Sequence, residues 1–273
     1  MPARAALDYA RSLAVIGVMA LGLAACAGRP GAPVWGADAT IAPGWGRVGD
    51  AVLTAATDPF TWAPALGAAA LQIGDLDNEI ADWANDETPL FGSRGNAADA
   101  SDWLRVASLA AYLGAGLAAP VGEGENPIGI KARGFAVGAA AIVATERVTR
   151  LGKKATKRQR PLGQSDTSFP SRHASIAAVA ARLSRETLRH YDLSPGTRVA
   201  TDAGLAGLAL MTGWARVEAG KHHPADVLAG AALGNFFAVF ATEAFLRPAL
   251  ADGLALNVGP YRNGWALRAT VAF

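Results

Sequence analysis

Three short stretches decide how this chain of 273 residues reads: KKATKRQRP at 153–161, PSRH at 170–173 and RVEAGKHHPAD at 216–226. Between them they hold a dense run of cations and three of the four histidines: His173, His222 and His223. Pro224 cannot continue a helix from upstream but suits a first turn, so a helix is expected to start there, with His222 just ahead of it. Asp226 then falls in the first turn, within reach of one imidazole nitrogen. Such a bond fixes the tautomer and leaves the other nitrogen free to act as a nucleophile. His223 is expected to point elsewhere. PSRH stands directly before an amphipathic run, so its backbone N–H groups make an oxyanion site at a helix N-terminus. Ser171 adds a hydroxyl and His173 a proton donor. Lys153 and Arg160, the latter followed by Pro161, supply fixed cations suited to phosphate, and an arginine can grip two oxygens at once. Lys154, Lys157 and Arg158 read as surface residues.

Outward from these stretches, the composition is 51% apolar and 18% charged, with much alanine and glycine. It suits closely packed helices around one core. The net charge of +2 is too small to imply a nucleic-acid partner. A single cysteine excludes an internal disulfide framework. Cys26 instead closes Leu23-Ala24-Ala25-Cys26, after a positive Arg4 to Arg11 region and a short apolar run from Leu13. That run is too short for a comfortable membrane span and reads as a secretory signal. Leu-Ala-Ala-Cys resembles the lipobox of bacterial lipoproteins. The resemblance implies a signal peptide over 1–25, lipidation of Cys26 and a membrane tether that does not span. Ala27 after the cysteine resembles the pattern of outer-membrane lipoproteins, which implies the periplasmic face of the bacterial cell envelope.

Residues 26–43, rich in Gly, Pro and Ala, read as a flexible tether. A helical domain over 44–247 follows. Asp58 and Pro59 cap and open its second helix, and Trp45 and Trp62 are expected to anchor this part to the core. Asp75 to Glu79 reads as a solvated acidic surface, because Ile80 and Asp86 stand where a calcium loop needs Gly and Glu. Ser101 is expected to cap a helix ending at Ala119, and a further helix covers Ile128 to Arg150. Ala174 to His190 reads as amphipathic and Arg198 to Trp214 as more apolar. Asp226 to Leu246, uncharged over Val227 to Thr242, is expected as the central helix. These apolar runs are short of, or just at, bilayer length, which favours a soluble helical domain on a tether. The tail over 248–273 alternates on both sides of Arg262-Asn263-Gly264 and predicts a β-hairpin packed on the helices.

Lys153-x6-Arg160-Pro161, Pro170-Ser171-Arg172-His173 and Arg216-x5-His222-x3-Asp226 together resemble the three-part signature of the type-2 phosphatidic acid phosphatase superfamily, which includes bacterial acid phosphatases and vanadium haloperoxidases. Two positions depart: Arg172 stands where the signature has Gly, and Ala215 where it has Ser. The resemblance implies a mainly α fold, a helical bundle of the phosphatase and haloperoxidase kind, and a phosphomonoesterase working through a phosphohistidine. It implies that His222 attacks phosphorus, that His173 protonates the leaving oxygen and then activates water, and that Asp226 orients His222. Lys153, Arg160, Arg216, Ser171 and the backbone N–H of Arg172 would hold the phosphoryl oxygens. The implied scheme needs no metal or cofactor. Vanadate could occupy the same site, so a vanadium-dependent haloperoxidase is the alternative, although the modest length argues against it. A catalytically inactive phosphate-binding envelope lipoprotein is the other. Lipid phosphates and small phosphate esters are both compatible, and a membrane tether favours an envelope or lipid substrate.

Overall fold

The computed structural model describes residues 34–121 and 126–247, together with the backbone of two strands near the C-terminus. The signal peptide expected over residues 1–25, and Cys26, lie outside the described residues. Among the described residues eight α-helices run in order: α1 Trp45–Thr57, α2 Pro59–Ala70, α3 Leu76–Glu87, α4 Arg94–Ala118, α5 Pro127–Thr156, α6 Arg172–Leu188, α7 Pro195–Glu218 and α8 Pro224–Ala241. A π-helical turn, Thr242–Leu246, extends α8. The protein is mainly α. Near the C-terminus the backbones of Leu254–Tyr261 and Gly264–Val271 pair antiparallel, while the side chains of this tail and its expected packing on the helices lie outside the described residues.

Helix starts follow local chemistry. Asp58 accepts the Phe60 N–H at 2.9 Å ahead of Pro59, as its sequence suggests. Ser171 and Ser194 cap α6 and α7. The cap of α4 is Ser93 rather than Ser101. Ser101 lies inside that helix, fully buried, and returns its hydroxyl to the Ala98 carbonyl at 2.7 Å.

The centre of the bundle is α6. It is buried on nearly every side, whereas α8 keeps a partly exposed flank, reversing the order expected from charge content. Charge did not bar α6 from the core because each charge is answered there. Arg182 reaches Glu186 at 2.8 Å, Asp58 at 2.9 Å and Asn235 at 3.4 Å. Helices α4, α7 and α8 pack around it, and α2 and α5 flank α8. By length and composition α5, and α8 with its π-helical turn, are long and apolar enough to cross a membrane. Within the bundle α8 is a packed core helix.

Glycines set the closest approach. A Cβ on Gly230 would lie 2.6 Å from the Ser171 carbonyl oxygen, and one on Gly234 would strike the Ser175 carbonyl. Their absence lets α8 lie directly on the first turns of α6.

Two expectations about the N-terminal part are corrected. Trp45 is 91% exposed and Trp62 half-exposed, so neither anchors the core. Trp35, placed in the tether by composition, is 2% exposed instead. Its ring meets Phe135 edge-on at 5.1 Å and Tyr112 at 6.5 Å, in a slot that Gly116 and Gly134 leave open. The tether reading therefore fails at this residue: one large aromatic outweighs its Gly- and Pro-rich neighbours. We expect Trp35→Ala to cost ~3–5 kcal/mol of stability in denaturant melts, whereas a true tether residue would be silent.

Candidate active site

The three clusters converge where the N-termini of α6 and α8 meet. The Ser171 N–H donates to the Asp226 carbonyl at 2.9 Å, so the two first turns are bonded to each other. Lys153, in the last turn of α5, lies beside them and donates from Nζ to the carbonyls of Thr167 at 2.5 Å and Ser168 at 3.3 Å. Arg216, in the last turn of α7, is 7% exposed and donates from Nη1 to Ser101 Oγ at 3.0 Å. Buried Nε atoms of Arg160 and Arg216 have no hydrogen-bond partner among the described residues. Unanswered buried donors of this kind mark a place for an anion.

Asp226 is fully buried and heavily held. Arg158 Nη1 donates to its Oδ1 at 2.8 Å, while Ser168 Oγ (2.5 Å) and the His223 N–H (2.9 Å) donate to Oδ2. Nδ1 of His222 stands 3.7 Å from Oδ2, an ion-pair distance beyond hydrogen-bond range, and Nδ1 of His223 stands closer, at 3.4 Å. The expected hydrogen bond from Asp226 to His222 is thus a longer electrostatic contact, and His223 faces the same carboxylate instead of pointing elsewhere. The reason is crowding on Oδ2, which already accepts two bonds.

Burial pulls the His222 imidazole from 6.5 down to about 4, with Lys153 and Arg216 adding to the shift and Asp226 opposing it. His173 also falls to about 4, through burial and the nearby Arg216, against the opposing pull of Asp102. Burial and the charges of Arg160 and Arg216 lower Lys153 to about 8. Arg216 falls to about 10, again mainly through burial and Arg160. Burial alone would raise Asp226, but its donors and Arg158 hold it well below the usual carboxylate range. This many crowded cations make the site favourable to an anion.

Sequence reading missed several contributors. Asp102 Oδ1 meets His173 Nε2 at 2.8 Å, from a helix whose part in the site has no local signature. Arg158, expected on the surface, instead bridges Asp226 and the buried Asp77, which was expected to be solvated. The Arg172 side chain turns away from the anion site and pairs with Glu146 at 2.8 Å. Its backbone N–H stays in the first turn of α6. Ala215 is fully buried, so no hydroxyl is missing from a wet surface there. Among the described residues no group of three or more His, Cys, Asp or Glu could hold a metal ion.

Two helix N-termini, buried guanidinium donors without partners, the buried His222 and the partly buried His173 lie together here, an arrangement that suits an oxyanion. The family model of the PAP2 superfamily matches residues 134–248, a span that contains all three clusters and supports the likeness to the type-2 phosphatidic acid phosphatase superfamily over this segment. No curated protein and no solved structure shows significant similarity to the chain.

The depressed histidines tie stability to pH. Between about 4 and 6.5 the unfolded chain binds protons that folded His222 and His173 refuse, so stability is full above this window and is lost as pH falls through it. We expect the melting temperature to drop on acidification from pH 7 to 4, and to drop less steeply in His222→Gln.

Proposed function

We propose that the protein is a metal-independent phosphomonoesterase that works through a phosphohistidine. The observation that carries this reading is the pair of buried, unanswered Nε donors of Arg160 and Arg216 facing the same cluster as Lys153 and His222. With Nδ1 turned toward Asp226, His222 presents Nε2 to phosphorus. Attack forms the N–P bond and breaks the P–O bond to the leaving group, whose oxygen takes a proton from His173. Water then attacks the phosphohistidine while His173 takes its proton, and cleavage of the N–P bond releases phosphate and restores both imidazoles. Lys153, Arg160, Arg216, the Ser171 hydroxyl and the N–H of Arg172 stabilise charge on the transferring oxygens. Asp102 favours the protonated form of His173, and Asp226 favours the cationic form that His222 reaches during transfer.

The lipobox-like Cys26 supports a tethered enzyme at the periplasmic face of the outer membrane, with a lipid phosphate or a small envelope phosphate ester as substrate. Its vanadate-loaded alternative, a haloperoxidase, would use the same cations.

Hydrolysis of p-nitrophenyl phosphate in EDTA tests the reading. Wild-type turnover with loss of at least about a thousandfold in His222→Ala is expected, with a smaller loss, on the order of a hundredfold, in His173→Ala. Absence of wild-type hydrolysis, or halide oxidation appearing only with added vanadate, would overturn it.

The pH profile is a separate check. With both imidazoles near 4, kcat/KM should peak on the acid side. It should fall below pH 4 as His222 takes a proton, and fall toward neutrality as His173 loses one. Above pH 8 KM should rise further as Lys153 loses its charge. An optimum above pH 7 would contradict these assignments.

A further inference from the structure

We propose that Arg158, braced by Asp77, is a positioning residue that fixes the Asp226 carboxylate for catalysis. The inference rests on the phosphohistidine reading for its kinetic consequences and on geometry alone for the placement. The family signature includes Lys153, Arg160 and Pro161 in this stretch and leaves Arg158 unassigned.

The guanidinium spans two buried acids. Nη1 donates to Asp226 Oδ1 at 2.8 Å and Nη2 to Asp77 Oδ2 at 2.5 Å. Among the described hydrogen bonds, Arg158 supplies the one to Oδ1 of Asp226, while Oδ2 takes Ser168 and the His223 backbone and faces both imidazoles. Holding Oδ1 stops the carboxylate from turning about its Cβ–Cγ bond, and so determines which oxygen the histidines see.

Asp77 braces the arrangement from the other side. It is 4% exposed, accepts the Ala225 N–H at 2.8 Å on Oδ1, and accepts Gln72 Nε2 at 3.1 Å on Oδ2. Helix α3 thereby grips the first turn of α8 twice, once through backbone at Ala225 and once through Arg158 at Asp226. The planar fork of arginine suits a bridge between two carboxylates, which a single ammonium cannot reproduce. Arg158 also offsets part of the negative charge that two buried carboxylates would otherwise place beside His222 and His223. The charged groups facing this cluster are Lys153 and Arg216 from α5 and α7, Asp77 from α3, and Arg158 itself.

Removing the cation should make the neighbouring imidazoles more basic. In Arg158→Met we expect kcat to fall roughly a hundredfold with KM within about threefold. The acid limb of kcat/KM and the His222 titration followed by NMR, without substrate, should both move up by about one pH unit. In Arg158→Lys the charge returns, so the titration should return to within a few tenths of wild type while kcat stays about tenfold down. Asp77→Asn should fall between the two.

A folded Arg158→Met with wild-type kcat and an unmoved histidine titration would overturn the proposal. Should that variant not fold, wild-type kinetics and titration in both Arg158→Lys and Asp77→Asn would overturn it equally. If the wild-type enzyme hydrolyses no phosphate ester, the phosphatase reading fails by itself. The substrate-free titration of Arg158→Met then decides the placement of Arg158, an unmoved value overturning it.

Discussion

The close crossing of α6 and α8 is the constraint on which the rest of the site depends. Gly230 and Gly234 remove the side chains that would hold the two helices apart, and the Ser171 N–H can then bond the Asp226 carbonyl. That single contact brings two helix N-termini together. Each contributes partial positive charge and unused N–H groups at its end, and His173 and His222 ride on or beside these turns. A wider crossing would separate His173 from His222 while leaving each motif intact in sequence. The geometry of the site is thus a packing property before it is an electrostatic one.

Crowded positive charge is the second constraint, and Asp226 is what makes it tolerable. Arg160 and Arg216 lower the proton affinity of Lys153, and Arg160 lowers that of Arg216, so the cluster favours a bound anion. Asp226 lies behind the cluster, fully ionised, with its oxygens committed to Arg158, Ser168 and the backbone of His223. It cannot swing forward to neutralise the anion site. The remaining positive charge therefore waits for a ligand, which the unanswered Nε atoms of Arg160 and Arg216 also require. Pre-set donors of this kind need no reorganisation when charge develops.

The parts of this arrangement legible in the sequence were those encoded locally. Pro224 and Asp226 announce the start of α8, and Ser171 announces α6, because caps and first-turn prolines act over three or four residues. What escaped was carried by tertiary contact. Trp35 sits among residues whose composition signals a tether, and only the slot beside Gly116 and Gly134 makes it core. Asp77 reads as one member of an acidic surface run, yet α8 presents it with the Ala225 N–H and Arg158. α6 reads as amphipathic because Arg182 and Glu186 look like a solvated face. Their partners, Asp58 and Asn235, come from segments far away in the chain.

Arg172 shows how a departure from the signature is absorbed. The position needs a backbone N–H at the anion, and any residue other than proline can supply one. Its side chain is free to do something else, and it ties the start of α6 to Glu146 on α5, the helix that also carries Lys153. An arginine there acts as a strut between two walls of the site and adds no further grip on phosphate. On the proposed phosphatase reading, discrimination between leaving groups falls to groups at the rim. Asp102 is the exposed acid that touches His173, and Lys221 is a partly exposed cation within the field of Arg160 and Arg216. An acid and a cation at the rim treat an approaching headgroup asymmetrically: a positively charged leaving group is favoured beside Asp102 and opposed beside Lys221, and an anionic one the reverse.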